Sequence, residues 1–566
     1  MPDQTTPPEA QPQKVSALEL AGRQRDISIS EFFLKNRHLL GFDTPEKALV
    51  TAVKEAVDNA VDACEDAGIL PEIKVELRRR GRIFTVAVED NGPGILEEQI
   101  GRIFGKLLYG SKFHKLAQSR GQQGMGIAAA GMYGQLTTGK PLHILSRVEG
   151  EPLATDLYVA IDTQKNRPDV HRKKHLEWGH PQGTRVEIVL EGSLQGGRHS
   201  VGAYLRQTAI ANPHITIHYQ DPDGHTRDFF RSIHSLPPRP REIKPHPHGI
   251  ELGRLIQMLN NTDSRTLMQF LVNDFSSVGR KTAARIIKAA GQRVSERSYP
   301  THIAHTQAIA LHRAIEKTPV LSPRTDCVVP IGEPQLLKGL QSEVAADFYT
   351  ATTRPAGSYR GNPFQIEVAI AYGQAGEARV DVAEGGRMNE VRPEPVPAGE
   401  DLLGLKDEPA HLLRFANRVP LLYQQSGCAI TRAAIQTNWR AYGLHQPKGA
   451  LPIGPMAILV HLASVWVPYT SEAKEAIEPT PEIVKEIVLG LQHCGRELAQ
   501  YLRRKARLRR EYERRVYIET YLPHIGGALQ DILALSDEER DNAMQRLDSA
   551  LHESRQKQGG GHDGNA

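Results

Sequence analysis

From residue 44 to residue 68 apolar positions fall on one stripe, Val50, Val53, Val57, Val61 and Cys64, which predicts an amphipathic helix. Thr44-Pro45-Glu46 supplies its start, with threonine as cap and proline at the first helical position, and Gly68 supplies its stop. The period then changes to two. Ile73, Val75 and Leu77 alternate with polar residues, Arg80-Gly81 turns, and residues 83–88 alternate again, predicting a hairpin. Strands near 142–148, 153–161, 184–190 and 214–219 extend it. The pattern fits an α+β sandwich, with helices over one face of a mostly antiparallel sheet.

The remaining chain divides on the same criteria. A Pro/His/Arg-rich connector at 236–249 leads into a compact helical stretch to about residue 318. Strands return from about 319, notably 365–372 and 427–430, with helices between them. From Pro481 to about Arg515 helical periodicity continues with few breakers. The predicted organisation is a Pro/Gln/Thr-rich disordered tail (1–24), a first domain (25–237), a helical domain (238–318) and an α/β domain (319–482). A C-terminal helical region with a loose glycine-bearing tail completes it (483–566).

Composition narrows the class only a little. With 39% hydrophobic and 24% charged residues the chain is an ordinary globular one, and 70 basic against 66 acidic residues leave a net charge of +4. That balance neither requires nor excludes nucleic acid, so only local clusters can speak. Cys64, Cys327, Cys428 and Cys494 form no CxxC pair, which reads as reduced thiols. No apolar run approaches a membrane span and no targeting pattern is visible, so a cytoplasmic location and no membrane are expected.

Chemistry concentrates in three segments. Glu55 and Asn59 lie four residues apart on one helix face, with Asp62 a turn beyond. A carboxylate can orient and deprotonate a water, and an amide oxygen can ligate Mg²⁺. Taken alone, such a face is more often a solvated acidic surface. Next, Asp90 ends a strand ahead of Asn91-Gly92-Pro93-Gly94, where it can accept from the exocyclic amine of adenine while Gly92 and Gly94 let the backbone pass close to the ring. A plain Asn-Gly turn is the competing reading. Third, Gly121-Gln122-Gln123-Gly124-Met125-Gly126 opens into the small-residue run Ile127-Ala128-Ala129-Ala130. Amides at a helix start hold phosphate well. Neither GxxxxGK[ST] nor a GxGxxG after a strand occurs, which excludes the P-loop and the Rossmann fingerprint. Ser111 and Lys112 are further phosphate or ribose candidates, and Thr184, at a strand start, is a weaker one. Order and spacing of the three segments favour a nucleotide site.

Residues 52–63, 88–95, 108–113 and 120–127 resemble the B subunit of DNA topoisomerase VI, the type IIB enzyme. The likeness continues through Phe275-Ser276-Ser277-Val278-Gly279, similar to the helix-two-turns-helix insert of that family. It reaches 414–423 and 446–455, similar to its transducer domain, so nearly all of 25–520 is covered. The resemblance implies a GHKL (Bergerat) ATP-binding domain with Glu55 as general base, Asn59 as Mg²⁺ ligand and Asp90 as adenine reader. Ser111, Lys112 and the lid from Gly121 to Ala128 become nucleotide contacts, and Lys448 the transducer lysine that reaches the γ-phosphate. It further implies an ATP-hydrolysing isomerase subunit that dimerises on ATP binding. With a DNA-cleaving A subunit in an A2B2 heterotetramer, it would pass one double-stranded DNA through another, relaxing and decatenating it at the nucleoid. A mismatch-repair-type clamp and a chaperone-type ATPase share the ATP motifs and remain rivals.

Two basic clusters stand apart. Arg280, Lys281, Arg285 and Lys288 follow a Ser-Val-Gly turn, which allows close approach to DNA phosphates or simply a solvated face. Residues 503–515 carry eight cations in thirteen positions, and a helix meeting a partner is preferred there to DNA contact. Asp221-Pro222-Asp223-Gly224 reads as a turn rather than a metal pair.

Overall fold

The helix Pro45–Ala67 forms as its sequence predicts. The Thr44 hydroxyl accepts from the Lys47 amide at 3.3 Å, Pro45 sits in the first turn, and Gly68 closes the end at φ +79°. Val50, Val53, Val57, Val61 and Cys64 are all buried on the sheet side. Each such side chain removed from water contributes about 1.5–3 kcal/mol, which outweighs the roughly 0.5 kcal/mol that valine costs in a helix.

The computed structural model describes residues 27–110, 115–121, 124–291, 294–373, 379–382, 388–391, 402–403 and 406–559. The expected N-terminal tail, the last residues of the C-terminal tail, and Ser111, Lys112, Gln122 and Gln123 lie outside them.

Eight strands form the first sheet: β1 (Glu72–Arg80), β2 (Ile83–Asp90), β3 (Leu142–Arg147), β4 (Ala154–Asp162), β5 (Arg167–Leu176), β6 (Gly183–Glu191), β7 (Thr216–Gln220) and β8 (Thr226–Phe229). Their order is β5-β4-β3-β6-β2-β1-β7-β8, and every neighbouring pair is antiparallel except β1 with β7. Helices Pro45–Ala67, Glu97–Gly105, Gly126–Thr138 and Val201–Ala211 pack on it, giving the α+β architecture. Strand β5 carries charge at five of its ten positions and is exposed at eight, so no hydrophobic alternation announces it.

Helices Leu252–Asn261, Leu267–Asn273, Arg280–Ala290 and His305–Lys317 close around a separate core that includes Leu255, Phe270, Ile286 and Leu311. A second sheet follows, from β9 (Phe348–Thr353), β10 (Gly357–Tyr359), β11 (Asn362–Tyr372), β14 (His411–Ala416), β15 (Val419–Pro420) and β16 (Met456–Ser464), while β12 (Arg379–Val382) and β13 (Met388–Val391) pair by themselves. Every residue of β16 is buried, the signature of a strand covered on both faces. Helix Glu333–Glu343 covers one side of this sheet, and helices Ala429–Gln436 and Pro481–Leu533 the other.

Two sequence expectations need correction. Residues 427–430 are not a strand: a 3₁₀ turn at Gln425–Gly427 leads straight into helix Ala429–Gln436. A four-residue apolar run carries no period of its own, and here the helix buries Ala429, Ile430, Ala433 and Ala434 at helical spacing. The C-terminal helix also runs beyond Arg515 to Leu533, through Pro523, before Ala534 at φ +56° turns the chain into helix Asp537–Gly559. Among the described residues no helix is long and apolar enough to cross a membrane.

Candidate functional site

A cavity of about 570 Å³ opens between the helix Pro45–Ala67, the end of β2 and the start of the helix Gly126–Thr138. Glu55, Asn59 and Asp62 line it from successive turns of one helix. Glu55 packs directly on Gly126, where an added Cβ would stand 1.7 Å from Glu55 Oε2. A larger residue at the start of that helix would push the Glu55 side chain aside, so glycine there keeps the carboxylate in place. No side chain caps the helix start, so its first-turn amides keep no intrahelical acceptor. Gly121, Gly124, Met125, Gly126 and Ile127 all line the cavity, whereas Ala128 is buried behind it.

Asp90 closes the opposite wall. Its Oδ1 accepts from the amides of Gly92 at 2.8 Å and Thr184 at 3.3 Å, and among the described residues no hydrogen bond reaches Oδ2. Burial pushes this carboxyl up to about 7, with the two amides opposing the shift. Gly94 lines the cavity at φ +74°, and a Cβ there would come within 2.1 Å of the Arg147 carbonyl. Both the dihedral and the close approach demand glycine. Gly92 stays outside the lining but packs against Asp90 and Cys64. Thr184 lines it, with its hydroxyl 3.0 Å from Ser146 Oγ, which also accepts from the Ile95 amide at 2.9 Å. The loop after Asp90 is thereby pinned to the neighbouring strands.

The domain built on the second sheet supplies part of the wall. Glu472 and Lys474 line the cavity, and Lys474 Nζ donates to the Arg120 carbonyl at 3.0 Å. Lys448 is instead on an exposed turn outside the lining. The expectation that Lys448 is the transducer lysine of the site therefore does not match the geometry, which brings Lys474 there. Sequence reasoning also passed over Arg120, which is buried beneath the glycine-rich segment. Its guanidinium donates to Asp62 at 3.0 Å, to both oxygens of Glu65 at 2.6 and 2.7 Å, and to Asn212 at 2.5 Å. Although burial acts to raise Glu65, Arg120 and His214 hold it far below the ordinary carboxylate range. Lys54, next to Glu55 in sequence, is buried, and that burial lowers its pKa.

The group of donors fits Mg²⁺ only together with phosphate. Among the described residues no three His, Cys, Asp or Glu side chains converge as a metal site, while the Asn59 side chain is exposed at the cavity. A hard cation bound by one protein oxygen, phosphate oxygens and water suits that arrangement.

The basic clusters lie elsewhere. Arg280 and Lys281 are exposed at the start of the helix Arg280–Ala290, and Lys288 is exposed near its end. Arg285 donates to the Pro319 carbonyl at 3.1 Å, which ties it to its own domain. Most cations of 503–515 project from the long C-terminal helix, with Lys505 paired to Asp347 at 3.1 Å. Asp221 accepts from the amides of Asp223 and His225, as a turn residue does.

A family model described as "Topoisomerase VI B subunit, transducer" matches residues 323–514, and one described as "Histidine kinase-, DNA gyrase B-, and HSP90-like ATPase" matches residues 44–194. The B subunit of type 2 DNA topoisomerase 6 from Archaeoglobus fulgidus is 44% identical over 94% of this chain and 84% of its own length. The corresponding proteins of Methanococcoides burtonii and Methanosarcina barkeri are 44% and 43% identical, each over 91% of this chain and 79% of its own length.

Proposed function

Since this chain belongs to the family of type 2 DNA topoisomerase 6 B subunits, we propose that its cavity is the ATP site through which it opens and closes a DNA-passing gate. It is an ATP-binding GHKL subunit of a topoisomerase, an isomerase, and it works with an A subunit. The observation that carries the finer reading is the meeting of Glu55, Asn59, Asp90, the glycine-rich segment and Lys474, from the domain built on the second sheet, at one cavity.

In this reading Asp90 accepts from the adenine amine, and the amides from Gly124 to Ile127 receive the phosphates. By the family resemblance alone, Ser111, Lys112, Gln122 and Gln123 would add further nucleotide contacts. Asn59 holds Mg²⁺, which neutralises phosphate charge. Glu55 orients the water and takes its proton. The Lys474 ammonium meets the terminal phosphate, so a cation from another domain distinguishes triphosphate from diphosphate. Two chains close on each other when ATP is bound and part after hydrolysis. The A subunit cleaves one duplex, and the A2B2 assembly passes a second duplex through it. The transducer match over 323–514 favours this reading over a mismatch-repair clamp or a chaperone.

The test is ATP-dependent relaxation of supercoiled DNA by the chain copurified with its A subunit. Relaxation that needs ATP hydrolysis and both subunits supports the reading. ATP hydrolysis without any effect on DNA topology would overturn it.

A further inference from the structure

A second set of contacts grips the segment that carries Lys474 without entering the cavity. That segment lies between Tyr469 and Ile477, which form an isolated bridge. Glu475, with a side chain only 4% exposed, meets the Lys47 ammonium at 2.5 Å, and Asp43 holds the same ammonium at 2.9 Å. Two helical turns further on, Lys54 Nζ donates to the Ala473 carbonyl at 3.2 Å and stands 3.9 Å from Glu55 Oε1. Residues 473 and 475 are thus both fastened to the helix that bears Glu55, and Lys474 is between them. Neither Lys47 nor Glu475 lines the cavity.

At 2.5 Å the Lys47 ammonium is the cation that compensates the buried Glu475 carboxylate. A carboxylate this buried is stable only while a cation compensates it. Withdrawing Lys47 would therefore drive Glu475 towards water and carry its neighbour Lys474 along.

We propose that the Lys47–Glu475 ion pair is a latch that positions Lys474 in the nucleotide cavity, in register with Glu55 on the same helix. This rests on the reading of the cavity as an ATP site with Lys474 at the terminal phosphate. Lys47 and Glu475 act through Lys474 and touch no nucleotide themselves. An ion pair that merely stiffened the fold would affect every ligand of the cavity alike, whereas a latch on Lys474 affects only ligands with a third phosphate.

The experiment measures binding of ADP and of the non-hydrolysable ATP analogue AMPPNP to the full chain carrying Lys47→Glu, Glu475→Lys, or both. Each single reversal is expected to weaken AMPPNP by about tenfold, a modest value for a partly buried charge pair. ADP affinity should stay as in the wild type, and the double reversal should restore AMPPNP binding. Glu475→Gln, which keeps shape and removes charge, should show the same selective loss and serves if a reversal does not fold. Equal weakening of ADP and AMPPNP, unchanged AMPPNP binding, or a folded double variant without recovery would each overturn the latch. A wild-type chain that bound neither nucleotide would overturn the reading of the cavity beneath it.

Discussion

Gly126 and Glu55 touch so closely that a β-carbon on residue 126 would lie 1.7 Å from Glu55 Oε2. Since Gly126 begins a helix whose next residues are buried, the carboxylate must give way before the backbone does. Gly126→Ala is expected to displace Glu55 by about 1 Å and slow ATP turnover by about 100-fold. Glu55→Ala should retain nucleotide binding and lose about 10²–10⁴ in turnover, the usual contribution of a positioned base. Steady-state hydrolysis and equilibrium nucleotide binding check both. Wild-type turnover by either variant would remove Glu55 from the reaction.

Lys474 and Lys448 make opposite predictions. Lys474 is buried at the cavity with its ammonium on the Arg120 carbonyl, whereas Lys448 is exposed on a turn. Lys474→Ala should weaken a non-hydrolysable ATP analogue while sparing ADP, and it should uncouple nucleotide from dimer closure. Lys448→Ala should leave both unchanged. Crosslinking across the dimer with each nucleotide separates the two. Loss of closure with Lys448→Ala alone would return the transducer role to that residue.

The contrast between these lysines shows what a chain reveals before it folds. The helix from Pro45, the hairpin after Ile73 and the glycine turns are local, since capping, alternation and positive φ act between near neighbours. Their order along the chain pointed to Asp90 and Glu55 as one site. Lys474 carried no such mark, because it gains meaning only from contacts across some 350 to 420 residues, to the Arg120 carbonyl and, through Ala473, to Lys54. Arg120 was likewise hidden: its acceptors Asp62, Glu65 and Asn212 come from two distant helix ends. Strand β5 was missed because its charged, exposed residues satisfy no burial pattern. The turn and helix at 425–436 were misread because four apolar residues suit either period.

Asp90 gives a pH dependence with a definite sign. Burial raises it to about 7 in the free chain, so near pH 6 it is mostly the neutral acid. An amine donates more strongly to a carboxylate than to a carboxylic acid, and nucleotide binding therefore expels a proton from Asp90. Affinity should rise between about pH 6 and 8. Asp90→Asn should weaken binding and flatten this rise, leaving only the part due to the phosphates' own ionisation. Stability runs the other way. A carboxyl raised on folding binds more protons in the folded state, so its contribution to the free chain falls as pH climbs from about 4 to 7. Calorimetric titrations of both proteins at pH 6 and 8 decide it, and equal pH slopes would remove Asp90 as the adenine contact.

Arg280 and Lys281 test the proposed DNA contact. Both are exposed at the N-terminus of the helix Arg280–Ala290, where the helix dipole disfavours cations, so the fold alone does not account for them. Beside them, a Cβ on Gly279 would meet nothing within 4 Å, leaving open space for a phosphate backbone. If each cation neutralises one phosphate, replacing both with alanine lowers the slope of log affinity against log salt by about 2. The loss should be uniform across sequences, as expected of backbone contacts. Arg285→Ala should change the slope much less, because its guanidinium is already engaged with the Pro319 carbonyl. Filter-binding or anisotropy titrations of the assembled complex at several salt concentrations measure these slopes. An unchanged slope in the Arg280→Ala, Lys281→Ala variant would mean that this helix face meets only water.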